Sequence, residues 1–168
     1  KKYDLDRNQK LIFWLFVLFW SGITVVRAYR KLYAISPMEE GGLGFSVILA
    51  AQITSAYGLI SCFIRLPIFI LSDIFNRKKI FIQIALFVLT LASLMVVLKP
   101  SYNTLYFSSI AMGICASMLA VFNVLFSETF SKEKAAISAS ILSIAPLLAE
   151  FIAAPIQYLS TYGTYKNF

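Results

Sequence analysis

The chain has 168 residues, 60 % of them hydrophobic, with a mean hydropathy of +0.79 and a formal net charge of +7. Soluble domains are only about 45–50 % apolar, so the solvent for most of this surface must be lipid. No histidine is present, Cys62 and Cys115 lie inside apolar runs without CxxC spacing, and the cations gather at the ends of those runs; this argues against imidazole, metal, dithiol and nucleic-acid chemistry.

A spanning helix needs about 20 mostly apolar residues, and five runs qualify. The chain opens on a polar segment, 1–10, which holds Lys1, Lys2, Arg7 and Lys10. The first span runs from Leu11 to Ala34 and carries Trp20, Thr24, Arg27, Tyr29 and Arg30, with Lys31 near its end. After "ISPMEEGGLG" the second span, Phe45 to Leu71, carries Gln52, Thr54, Tyr57, Gly58, Ser61, Arg65 and Pro67. "SDIFNRKK" leads to the third span, Ile80 to Leu98. "KPSYN" leads to the fourth, Thr104 to Ser127, with Asn123 inside it. "ETFSKEK" leads to the fifth, Ala135 to Tyr158, with Glu150 inside it.

The connections leave no room for a soluble domain, and transmembrane strands of about 10 alternating residues do not fit continuous apolar runs. The fold class expected is an all-α polytopic membrane bundle. Lys and Arg asymmetry sets orientation. One side holds nine cations, Lys1, Lys2, Arg7, Lys10, Arg77, Lys78, Lys79, Lys132 and Lys134. The other holds Lys99 and Lys166, with Lys31 nearby. The nine-cation side, with the N-terminus, is therefore expected in the cytoplasm, and the protein in the cell membrane. Residues 159–168 then form an extracytoplasmic tail. An odd number of spans and a first residue other than Met predict a longer protein, with a sixth helix beyond the tail.

"RLPIFILSDIFNRKK" breaks two apolar runs with a lone acid, Asp73, followed by Arg77, Lys78 and Lys79. A carboxylate at a helix C-terminus faces the wrong end of the dipole and needs cations or another helix's N-terminus. The stretch resembles the loop between helices two and three of the major facilitator superfamily, G-x-L-x-D-R-x-G-R-[RK]. Leu71, Asp73, Arg77 and Lys78 match, while Phe69, Ile74 and Asn76 replace the first glycine, the arginine and the second glycine. "SIAPLLAEFIAAPI" resembles the family's glycine–proline element with alanines for glycines, and Ser109 stands near the arginine usual early in helix four.

The resemblance covers the chain as helices one to five of an N-terminal six-helix half. It implies a secondary carrier, working by symport or antiport, whose partner is its own C-terminal half. It also implies that Asp73 with Arg77, Lys78 and Lys79 latches the cytoplasmic side against that half. Such carriers have inverted repeats, yet no repeat is apparent along this sequence. Arg65-x-Pro67 also resembles the nitrate/nitrite porters, whose helix-five glycine signature is missing here.

Arg27, Arg30, Arg65 and Glu150 lie inside spans, where a charge costs at least about 2.5–3.5 kcal/mol at the bilayer centre and implies a partner or a wet cavity. Arg27 and Glu150 fall at similar depths from the starts of their spans, which predicts an ion pair, with proton coupling by Glu150 as the alternative. Arg27, Arg30, Arg65, Tyr57 and Asn123 are the candidate solute-binding residues. For Arg30 and Lys31, snorkelling to headgroups is an equal reading; for Tyr57 and Asn123, packing or an interfacial place is the stronger one. Guanidinium suits carboxylate and phosphate, so the expected solute is a small anionic or phosphorylated molecule. The rival reading is a membrane scaffold or assembly subunit that keeps the helix frame without transport. No nucleophile–base pair or paired acids point to an enzyme.

Overall fold

The computed structural model describes residues 5–162; Lys1, Lys2 and the tail from 163 lie outside the described residues. Five helices follow one another: α1 Arg7–Ile35, α2 Val47–Ile74, α3 Lys78–Leu98, α4 Tyr102–Ser127 and α5 Ala135–Thr161, with 3-10 turns at Met38–Glu40 and Lys132–Lys134. All five are long and apolar enough to cross a membrane, and the described residues contain no strand. The chain is an all-helical membrane bundle.

Polar caps carry several helices beyond their apolar runs, because the first backbone N–H groups of a helix need acceptors. The Ser46 hydroxyl accepts from Leu49 N–H at 3.4 Å. Ser101 and Thr104 cap one another across the start of α4, with Ser101 N–H donating to Thr104 Oγ1 at 2.9 Å. Between α1 and α2 the backbone is left-handed at Gly41 (φ 87°) and Gly44 (φ 64°). A Cβ on Gly42 would collide with the backbone of Ser36.

Between α2 and α3, Asn76 is left-handed, at φ 49°. This is the position where the resembled loop has its second glycine. Asparagine is among the few other residues that enter this region readily, so the substitution keeps the turn.

α4 is the most enclosed helix and α3 the least, with 61 % and 11 % of their most apolar windows buried. α3 therefore offers most of its surface to lipid. α2 and α3 pack on α4, α5 packs on α1, and α1 makes smaller contacts with α2 and α4. Where α1 and α4 cross, Phe122 lies 5.0 Å from Phe16 and 5.1 Å from Phe19 by ring centroids.

A hidden symmetry organises this packing. Ser21 Oγ donates to Val17 O in its own helix at 2.8 Å and reaches Ala149 O of α5 at 3.4 Å. Ser117 Oγ donates to Gly113 O in its own helix at 2.9 Å and reaches Ser61 O of α2 at 3.3 Å. The same forked bond thus joins α1 to α5 and α4 to α2. α1 and α4 run antiparallel: position 16 meets 122, and 30 meets 108 and 109. Position 21 therefore meets 117, and Ser21, Ser117, Ser61 and Ala149 share one level near the middle of all four helices.

A half-turn about an axis at that level exchanges α1 with α4 and α2 with α5, the relation of an inverted repeat. Adding 88 to the α2 numbers reaches α5, where "PIFILS" at 67–72 becomes "PIQYLS" at 155–160. Identical residues recur at 51, 53, 55, 59, 63, 64, 67, 68, 71 and 72, ten of the 28 positions 47–74. The expectation of no repeat is thereby corrected. Between α1 and α4 the offset is 96, and only Ser21/Ser117 and Val25/Val121 are identical.

Candidate functional site

Arg30 is the one arginine of the spans that the fold buries, at 8 % exposure. Its Nη1 donates to Ser109 Oγ and its Nη2 to Ser108 Oγ, both at 2.6 Å. Two adjacent serines at the head of α4 thus grip the two arms of the guanidinium fork, which neutral partners orient without cancelling its charge. Ser109 stands near the place where the resembled family has its helix-four arginine. α1 therefore delivers a guanidinium to the position that α4 leaves without one. Neither serine signals this in the sequence, because the match depends on the antiparallel register of α1 and α4.

Arg30 borders two spaces. One is a small cleft of about 20 Å³ lined by Arg27, Arg30, Thr54, Tyr57, Ser109 and Met112. The other is a groove of about 490 Å³ on the opposite side of Arg30, with walls that include Val25, Val26, Val96 and Ser108. Arg27 is exposed and its guanidinium lies 6.0 Å from the centroid of the Trp20 ring, a cation–π contact that fixes its direction. Of the five candidate solute-binding residues, the fold gathers Arg27, Arg30 and Tyr57 around this cleft.

Arg65 and Asn123 stand elsewhere. At 1.5 Å per residue, Arg27 lies about 9 Å from the Ser21 level toward the end of the bundle away from Arg7, and Arg30 about 13 Å. Arg65 lies about 6 Å and Asn123 about 9 Å on the opposite side. Both are exposed, and Arg65 Nη2 reaches Ser61 Oγ at 3.4 Å. Asn123 is the half-turn mate of Arg27, since 27 plus 96 is 123.

The expected Arg27–Glu150 pair does not form. Among the described residues the ion pairs are Lys78–Asp73 and Lys78–Glu128. Arg27 is turned onto the Trp20 ring, and the two residues also stand at different depths. Ser21 is level with Ala149, so Glu150 lies one residue past the middle of α5 while Arg27 lies six past the middle of α1. That separates them by about 7–8 Å along the helices, a distance that equal counts from the span starts concealed. Instead, Gln157 ties the seam, donating from Nε2 to Thr24 O at 2.8 Å.

At the end that carries Arg7, Lys10 and Arg77, the buried Lys78 bridges Asp73 at 3.1 Å and Glu128 at 2.7 Å. It thereby ties the ends of α2 and α4 to the start of α3. Arg77 and Lys79 are exposed and make no ion pair among the described residues. The carboxylate partner from α4, Glu128, was not singled out in the sequence. From α1, Gln9 Nε2 adds a bond to Thr129 O at 3.0 Å.

No curated protein and no solved structure matches the chain. A family profile described as Major Facilitator Superfamily matches residues 9–166. Nearly the whole length is covered, the bundle is helical throughout, and its helices repeat by inversion: the chain belongs to the Major Facilitator Superfamily of membrane transporters.

Proposed function

We propose that the chain is the N-terminal half of a secondary carrier for a small anionic or phosphorylated solute, working by alternating access in the cell membrane with its N-terminus cytoplasmic. The observation that carries the reading is Arg30. A buried guanidinium inside the span, held among the described residues by Ser108 and Ser109, keeps its positive charge for a ligand, and Arg27 supplies a second charge to the same cleft. Guanidinium groups favour carboxylate and phosphate oxygens through paired N–H donors.

On this reading Arg27 and Arg30 receive the anion on the outer side of the midplane, and Arg65 with Asn123 meets it on the cytoplasmic side. The two groups stand about 15–22 Å apart in depth, so one small solute touches them in succession as the halves rock. Lys78, holding Asp73 and Glu128, keeps Asp73 at the interface where the latch forms. The uncovered flank of α1, with Leu15, Leu18 and Gly22 exposed, is the half-turn mate of the flank of α4 that α3 covers. A sixth helix belongs there, and a C-terminal half across the polar cleft.

Thermal unfolding of the purified full-length protein tests the reading. Inorganic phosphate or a dicarboxylate should raise the midpoint by mass action, and choline or a neutral sugar should not. No response to any anion, or an equal response from the Arg27→Ala/Arg30→Ala double variant, would sink it.

A further inference from the structure

The cleft beside Arg30 is smaller than any anion its charges would attract. Its volume is about 20 Å³, and a space of roughly 10–15 Å³ admits a single water. A phosphate carries four oxygens, so a wall must move before it enters. Most of the walls are fixed. Ser109 and Met112 are buried on α4, and Arg30 is buried and bonded to Ser108 and Ser109 at 2.6 Å. Thr54 donates to Ala50 O of its own helix at 2.9 Å, and Tyr57 is half-buried. Arg27 differs from all of these. It is exposed, and among the described residues its contact with the Trp20 ring is the one interaction that holds it.

That contact takes the charge away from Arg30. Trp20 precedes Arg27 by seven residues, which is two turns, or about 10.5 Å, along one face of α1. The Arg27 side chain therefore runs back toward the midplane, the way helical side chains lean, while Arg30 stands one turn beyond it on the outer side. Trp20 itself is only 9 % exposed and has the Phe16 ring at 6.1 Å. The ring is a fixed platform, and the guanidinium resting on it is the movable partner.

Electrostatics gives the arrangement two states. Without an anion, two guanidinium groups in one cleft repel, and the negative face of the indole offers one of them another place. With an anion in the cleft, both guanidinium groups gain charge-assisted hydrogen bonds, which outweigh a cation–π contact at an exposed site.

We propose that Trp20 is the resting place of Arg27, and that an anion held by Arg30 draws Arg27 off the ring to complete its site. Trp20 is then a positioning residue that sets affinity by competing with the anion for one guanidinium. The inference rests on the reading of the chain as an anion carrier. Its sign is distinctive: a state that binds only after Arg27 leaves the ring carries a reduced apparent affinity, and removing the ring removes that reduction.

Equilibrium binding to the purified full-length protein, with inorganic phosphate and succinate as probes, tests the proposal. Trp20→Leu should tighten binding about two- to fivefold, the ratio that an exposed cation–π contact supports. Trp20→Phe should tighten it less, because a phenyl face holds the cation more weakly. In an Arg27→Gln background, where Arg30 alone holds the anion, Trp20→Leu should leave the remaining affinity unchanged, the non-additivity expected of two residues in contact. Addition of the bound anion should also change tryptophan emission in the wild type, and the part due to Trp20 should vanish in Trp20→Phe and in Arg27→Gln. Should Trp20→Leu fail to fold, Trp20→Phe in the two backgrounds gives the same sign. Weaker binding or unchanged affinity in the Trp20 variants with Arg27 present, or an equal shift with Arg27 replaced, overturns the proposal and leaves the carrier reading standing. A wild-type protein that binds neither probe overturns it by removing the carrier reading beneath it.

Discussion

In the pair α2–α4 the close approach is made by α4. Its Gly113 lies so near α2 that a Cβ there would meet Tyr57 O at 2.8 Å and Ile60 at 3.1 Å. In the pair α1–α5 the approach is made by α5, whose Ala145, Ala149 and Ala153 are all fully buried. Small residues let helix backbones approach where lipid gives no hydrophobic drive. The half-turn therefore relates the two pairs in backbone while the small side chains sit on opposite partners. The charges differ in the same way. α1 carries Arg27 and Arg30 where α4 has Asn123 and Phe126, and α2 carries Arg65 where α5 has Ala153. The frame is symmetric and the cleft is not, which lets one face of a repeated scaffold bind while its mate only packs.

Breaking this asymmetry at Arg30 should have the largest effect. Arg30→Ala is expected to lower anion uptake at least tenfold while leaving the protein folded. Arg30→Lys should recover only part of it, because one ammonium cannot hold Ser108 and Ser109 in a planar fork. Uptake assays beside thermal melts separate the two losses. Next is Gly113→Leu, which places side-chain atoms against α2 backbone and should destabilise by about 1–3 kcal/mol. Its mate Val17→Leu should cost less, as measured by unfolding in detergent.

At the Lys78 clamp the Asp73 and Glu128 carboxylates are half exposed, so screening limits the gain. Lys78→Met should lower stability by about 1 kcal/mol or less, and Arg77→Met should leave the melting midpoint unchanged. The smallest effect sharpens the symmetry itself. Ser21→Ala and Ser117→Ala should each cost about 0.6 kcal/mol, the mean for hydrogen bonds between membrane helices. Unequal losses would show that the two forked bonds are not equivalent.

Helix number and class were legible because lipid imposes length and hydropathy on each span separately. The loop around Asp73 was legible because its charges crowd a short polar gap; Asn76 even kept the left-handed turn that a glycine usually serves. Relations between helices were not. The α2–α5 repeat lies in ten scattered identities, and most are the Ile, Leu, Ser and Ala that any span would use. The α1–α4 repeat survives almost only in burial: Phe16, Val17, Phe19, Trp20 and Ser21 pair with Met112, Gly113, Cys115, Ala116 and Ser117, all buried. Depth counted from the start of a span misplaced Arg27 against Glu150 because α1 and α5 begin at different heights. The grip of Ser108 and Ser109 on Arg30 needed the antiparallel register, which no local pattern records.

The most direct measurement is uptake by the full-length protein in proteoliposomes, with phosphate, a dicarboxylate, a sugar phosphate, a neutral sugar and an organic cation compared. Wild-type protein should accumulate at least one of the anions and neither of the last two, and Arg27→Ala and Arg30→Ala should each abolish that uptake. Uptake of only the neutral sugar or the cation, or undiminished anion uptake by both variants, would contradict the account.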